Sequence, residues 1–267
     1  MKRYLTFFRM RLVAGLQYRA AALAGMSTQL AWGTMEVLLY RAFWLQSPEK
    51  FPMSMEQLSS YIWLQQAFLA FFAMWSWEPE LLRSVKDGSV AYELTRPTDL
   101  YGMWMARSLA LRLSRGALRC LPIVLVGAII PAPYGLRLPA DGLTFLLFLV
   151  STVLMLLVVC ASTMMLYSLT FYLTDPNGLT TLTIALADIL SGSIIPLPFM
   201  PAGLRRVAEL SPFGSMQNVP LRIYSGSISL ADAPAAMALQ LFCVVALVSL
   251  GKLLMDRGLR KTVIAGG

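Results

Sequence analysis

The stretch Lys86-Asp87-Gly88-Ser89-Val90-Ala91-Tyr92-Glu93-Leu94-Thr95-Arg96-Pro97-Thr98-Asp99-Leu100-Tyr101 decides how this chain is read. It is polar and turn-rich: Asp87-Gly88 supplies a turn, Ser89 to Leu94 gives about one and a half helical turns, and Arg96-Pro97 ends them. On both sides lie apolar runs of a length that a bilayer would hold. Over 267 residues the chain is 57% hydrophobic and 13% charged, whereas a soluble domain has about a quarter of its residues charged. The composition specifies an all-α polytopic membrane protein, and the insert from Glu78 to Tyr101 is where such a chain exposes polar surface.

The formal net charge is +8, but its distribution points to lipid and not to nucleic acid. Sixteen of the 22 Lys and Arg residues fall in the leader, between Arg83 and Arg119, and from Lys252 onward. Lys50, Arg137, Arg205, Arg206 and Arg222 fall in the opposite loops, and Arg41 lies within the first span. By the positive-inside bias, both termini and the insert are expected on the cytoplasmic side. The chain has no histidine, which excludes His-dependent triads and imidazole-ligated haem or zinc. Cys120, Cys160 and Cys243 sit in apolar runs and read as small hydrophobes, so no metal site is expected.

Six spans are expected, roughly Ala20–Leu45, Ser59–Trp77, a third that turns apolar after Arg119 and ends at Pro131, Gly142–Tyr172, Leu179–Ile195 and Pro234–Met255. Residues 1–19 are expected to form an amphipathic interfacial helix, with Tyr4, Phe7, Phe8 and Leu12 on one face, although Arg11 interrupts that face; the alternative is a basic leader that only orients the first span. A Thr174-Asp175-Pro176-Asn177-Gly178 turn joins spans four and five. Between spans five and six the chain stays apolar but carries Pro196, Pro198 and Pro201, followed by a short amphipathic helix stopped at Ser211-Pro212. Residues 196–212 are read as a re-entrant segment on the extracellular side, because irregular backbone at membrane depth needs protein or a water-filled path around it.

Charges inside the spans need a reason, since each costs about 2.5 to 3.5 kcal/mol at a helix centre on insertion scales. Glu36 in span one and Asp188 in span five are candidates to face a polar or cationic part of a substrate, together with Pro196 and Pro198, or to hydrogen-bond a neighbouring helix. Arg41 is expected to hydrogen-bond a neighbouring helix or to reach the outer surface. Arg112, Arg115 and Arg119 recur at helical spacing and are candidates for anionic lipid headgroups.

The order of these parts, leader, two spans, insert, three spans, proline-broken hairpin and last span, resembles the permease subunit of an ABC-2 type ABC transporter. Two motifs carry the resemblance. Asp87-Gly88-Ser89-Val90-Ala91-Tyr92-Glu93-Leu94-Thr95-Arg96-Pro97 is similar to the stretch after span two. Ser211-Pro212-Phe213 with Pro220-Leu221-Arg222-Ile223-Tyr224-Ser225-Gly226 is similar to the approach to the last span. The resemblance covers essentially the whole chain, read as one domain, residues 1–267. It implies that the insert, residues 78–101, is a coupling helix docking on a separate ATP-binding subunit, present in two copies. Val90, Tyr92 and Leu94 would be apolar anchors, Asp87, Glu93 and Arg96 would set register, and Gly88 and Pro97 would bound the helix. It also implies a second permease, identical or related, and outward transport of an amphipathic or lipid-like compound, drug or peptide by alternating access. The chain lacks a G-x-x-x-x-G-K-[ST] stretch, so ATP and magnesium are expected on the partner, and no enzymatic role or cofactor on this chain. An ion-coupled secondary transporter using Asp188 and Glu36 is the alternative. An Asp175/Asp188 carboxylate pair is unsuited to catalysis, since thirteen helical residues separate them by about 20 Å.

Overall fold

A computed structural model describes residues 2–173 and 175–261. Met1, Thr174 and residues 262–267 fall outside it, and with them one position of the expected Thr174–Gly178 turn and the end of the basic tail. The described residues form α-helices α1 (Lys2–Gly15), α2 (Arg19–Gln46), α3 (Met55–Phe72), α4 (Pro79–Lys86), α5 (Val90–Leu94), α6 (Leu100–Ile129), α7 (Gly142–Thr170), α8 (Asn177–Leu190), α9 (Ala202–Leu210), α10 (Asn218–Tyr224) and α11 (Ala233–Lys261). Short 3₁₀ turns occupy Pro48–Lys50 and Leu197–Phe199, and no strand occurs among the described residues.

The helix starts follow local chemistry. At α3 the Ser54 hydroxyl accepts from the Gln57 amide at 3.2 Å while Gln57 Oε1 accepts from the Ser54 amide at 2.9 Å, a reciprocal capping box. Asp99 caps α6 through the Gly102 amide, and Asp141 caps α7 through the Thr144 amide. Ser54→Ala is expected to cost about 1 kcal/mol, read in detergent as a melting temperature lower by about 2–4 °C.

Two helices, α7 and α11, are long and apolar enough to cross a membrane by themselves, and they pack along one another. Helices α2, α3 and α6 are also long, but their apolar runs are interrupted by polar groups such as Gln29, Gln65, Gln66 and Arg112, all of them buried. α8 is shorter than the expected fifth span. Its 14 residues extend about 21 Å, less than the roughly 30 Å of a hydrocarbon core. The chain leaves it through Gly192, whose φ of 82° suits a residue without a side chain.

The molecule has two chemically distinct ends. At one, Leu81 of α4, Val90 of α5, Leu100 and Trp104 of α6, Tyr167 of α7 and Met255 of α11 form one buried cluster. α1 lies along α6 at this end: Arg3 donates to the Pro97 carbonyl at 3.0 Å and the Asp99 amide donates to the Tyr4 hydroxyl at 2.9 Å. The leader is therefore a brace for the insert as well as an exposed helix with no buried residue. At the other end Val37, Met53, Leu58, Trp63 and Ile123 form a second cluster.

Between the ends, residues 191–217 leave and re-enter the interior. The Ser193 carbonyl accepts from Gln65, eleven residues into α3. Gln217 donates to Ser191, and Ser215 lies against Cys243, eleven residues into α11. Both contacts thus lie about 15 Å along α3 and α11 from the starts of those helices. α10, which carries most of the Pro220–Gly226 motif, then packs against α7 and α3, and the Tyr224 hydroxyl donates to the Arg137 carbonyl at 2.8 Å.

Candidate functional site

The insert is two helices, not one. α4, which the sequence reading missed, begins at Pro79 and presents Leu81 to the core, 1% exposed. Gly88, at φ 76°, reverses the chain into α5, and the Asp87 carboxylate accepts from the Ser89 amide at 2.9 Å. Hydrogen bonds from Ser89, side chain before backbone, hold the Asp87 carboxyl below the usual carboxylate range.

α5 divides the expected anchors. Val90 is 1% exposed and packs inward, so it holds α5 to the body and offers no surface to a partner. Tyr92 is 79% and Leu94 39% exposed. Glu93 is half-buried and accepts from the Trp104 indole at 2.7 Å, fixing α5 to α6. Arg96 and Pro97 are exposed. The outward surface of the insert is therefore Tyr92, Leu94, Arg96 and Pro97, with Asp87 at its edge.

The arginines of α6 serve a purpose that spacing alone concealed. Arg112 was expected at lipid headgroups, but it is fully buried. It donates to the carbonyls of Phe71 at 3.1 Å and Ala73 at 2.9 Å, and to the Thr163 hydroxyl at 2.9 Å. Those carbonyls belong to the end of α3, where helical C=O groups lack partners and a cation is favoured. Arg115 donates to the Ser76 hydroxyl at 2.7 Å. Arg107, at the start of α6, pairs with Glu78 and, at 2.8 Å, with Glu80. Three successive arginines thus hold residues 71–80, the connection from α3 into the insert, against α6. Arg119 instead donates to the Ala21 carbonyl of α2 at 3.3 Å.

A second feature lies between α2 and α3. A cavity of about 1050 Å³ is lined by Gln29, Trp32 and Glu36 of α2, Gln65 and Gln66 of α3, and Ser193. Asp188 does not line it, so the structure does not bring the two expected intramembrane carboxylates together at this cavity. Pro196 and Pro198 are buried and belong to the packing of the 191–217 excursion. Arg41 donates from Nε to the Tyr134 hydroxyl at 2.9 Å and lies over its ring, a partner in the connection after α6. The three glutamines were missed. Their signal was present, since an amide in an apolar span needs a partner.

No curated protein matches the chain at a significant level. The family model for ABC-2 family transporter protein matches residues 30–266, which includes the insert, the arginine row and the excursion between α8 and α10. With described residues that form helices and no strand, two helices long and apolar enough to cross a membrane, and that match, the protein belongs to the ABC-2 transporter family, as the membrane component that works with an ABC ATP-binding subunit.

Proposed function

We propose that this chain is the transmembrane half of an ATP-driven exporter in the cytoplasmic membrane, its termini and insert facing the cytoplasm. Six helical segments lie in the bilayer, the short α8 as the fifth and completed by the chain that follows it, with 196–212 as the re-entrant segment and α1 at the inner interface. Two ATP-binding subunits dock on the inserts of two permeases, this chain paired with itself or with a relative. Their ATP-driven closure pushes the inserts, and the bundle rocks between inward-open and outward-open states to move an amphipathic or lipid-like compound, drug or peptide. The observation that carries the reading is the construction of the insert. Its inner face, Leu81, Val90 and Glu93, is fixed to the bundle, while Tyr92, Leu94 and Arg96 are presented outward. An exposed tyrosine beside an arginine matches the residue types enriched at interface centres, and Leu94 adds apolar surface next to them.

The test is co-purification with the ATP-binding subunit and transport-linked ATP turnover. Y92A/L94A removes apolar surface without touching the core, and is expected to weaken docking at least tenfold, about 1.4 kcal/mol, with insertion and melting unchanged. Unchanged co-purification and turnover would overturn the docking assignment.

A further inference from the structure

The α2–α3 cavity carries polar atoms that the protein itself leaves unused. Gln29 is 3% exposed, and both its amide nitrogen and its oxygen lack a partner. Glu36 Oε2 accepts from Gln66 Nε2 at 3.3 Å, but its Oε1 has none. The amide nitrogen of Gln66 is spent on Glu36 and that of Gln65 on the Ser193 carbonyl. What each glutamine leaves free is therefore its oxygen, and both oxygens are buried and unpartnered. Native interiors rarely leave such groups unmatched, and a buried polar atom without a partner is costly.

The chemistry of the unused atoms selects a guest. A carboxylate oxygen and two amide oxygens can only accept, and the Gln29 side chain can turn its own oxygen toward the same guest. Arg41, the nearest cation along α2 on the outer side, is occupied by Tyr134. Arg119, whose Nε is an unpartnered donor, lines the far end of the cavity beside Gly25, eleven residues or about 16 Å from Glu36 along the helix, so the acceptor cluster is confined to the Glu36 end. Neither neutralises Glu36. Apart from Thr28, whose hydroxyl donates to the Ala24 carbonyl, the remaining wall is apolar, with Trp32, Met35, Leu39 and Leu69 beside the polar cluster.

We propose that this cavity binds a primary ammonium headgroup carried on an apolar chain, with the N–H groups donating to Glu36, Gln65 and Gln66 and the chain lying along Trp32 and Leu69. The site rests on the reading that the protein moves an amphipathic compound, and it names the headgroup that such a compound carries. Glu36 supplies charge complementarity, and the glutamines, held by their own bonds to Glu36 and Ser193, supply a fixed set of acceptors.

The experiment uses the full chain in phosphatidylcholine nanodiscs without the ATP-binding subunit. The probe is 11-bromoundecylammonium, whose bromine quenches indole fluorescence and whose chain would place it beside Trp32 and Trp75 of the cavity wall. A saturable quenching component is expected for this amine and not for 11-bromoundecanoate. Glu36→Gln, which preserves shape, is expected to weaken the saturable component at least tenfold, and Gln29→Leu several-fold, both with wild-type melting. Equal saturable quenching by the carboxylate, or no change in affinity in both variants, would overturn the proposal. Because no ATPase is present, its failure is separable from failure of the ATP-driven reading. The latter would show as amine binding intact but ATP turnover by the docked partner unaffected by the amine.

Discussion

Arg112→Met is expected to lower the melting temperature of the chain in detergent by about 5–10 °C. Arg112 is fully buried and makes three bonds to neutral acceptors, two of them carbonyls at the end of α3. Two opposed contributions decide the sign. Removing the guanidinium relieves the desolvation of a buried cation, worth several kcal/mol. Against this, bonds from a charged donor are worth about 1.5–3 kcal/mol each, and each orphaned buried carbonyl costs about 1–3 kcal/mol. Favourable charge at a helix C-terminus adds up to about 2 kcal/mol in partly buried geometries. The losses exceed the relief, leaving a net destabilisation of about 2–4 kcal/mol, and for a chain of this size each kcal/mol moves melting by about 2–4 °C. Arg112→Lys keeps the charge but cannot span both carbonyls and Thr163 at once, so its loss should fall between. A melting temperature for Arg112→Met within 2 °C of wild type would show that the α3 carbonyls find other partners.

That arginine also shows where the sequence stops being informative. Spacing put Arg112, Arg115 and Arg119 on one side of a helix, and the structure keeps the helix. It does not keep the common environment, because α3 and α7 close over the position of Arg112 while Arg119 looks toward α2. Which side of a helix is covered is a tertiary fact, and periodicity reports only that the residues share a side. The long apolar helices α7 and α11 were legible because their hydrophobic runs leave no alternative. α4 and α10 were not. Each has eight residues or fewer, too few for a period to show, and Pro220 inside α10 reads as a breaker although it sits in the third helical position, where a missing N–H does little harm. Val90 was misassigned for a related reason: in a five-residue helix an inward valine and an outward tyrosine two positions later look alike in sequence. The insert was legible as a polar device between spans. Its two-helix construction and the rack of arginines behind it were not, since they depend on residues nearly thirty positions apart, such as Glu78 and Arg107.

Arg107→Gln is expected to separate docking from transport. Arg107 is 8% exposed, and its ion pair with Glu78 buries both groups, with 9% and 16% of the side chains exposed. The pair ties the first residue of the insert to the start of α6, and the Glu78 amide is held in turn by the Tyr167 hydroxyl of α7 at 2.9 Å. Glu80, 74% exposed at its side chain, contributes little by comparison, since solvent screens it. Removing one partner of a buried hydrogen-bonded pair costs on the order of 2–5 kcal/mol, largely because the other charge stays behind. The loss falls on the joint between the insert and two spans, while Tyr92, Leu94 and Arg96 stay on the surface. Co-purification of the ATP-binding subunit should therefore match wild type, and transport in proteoliposomes should fall at least tenfold because, in the proposed coupling, displacement of the insert would no longer move α6 and α7 as a unit. Glu78→Gln in the same background removes the stranded charge and is expected to restore packing at the joint, read as recovered melting, but only part of the transport, since an amide pair is softer than an ion pair. If Arg107→Gln lost docking and transport together, the pair would be holding the shape of the insert and not transmitting its motion. If transport stayed at wild-type level, the rigid joint between insert and bundle would have no part in coupling.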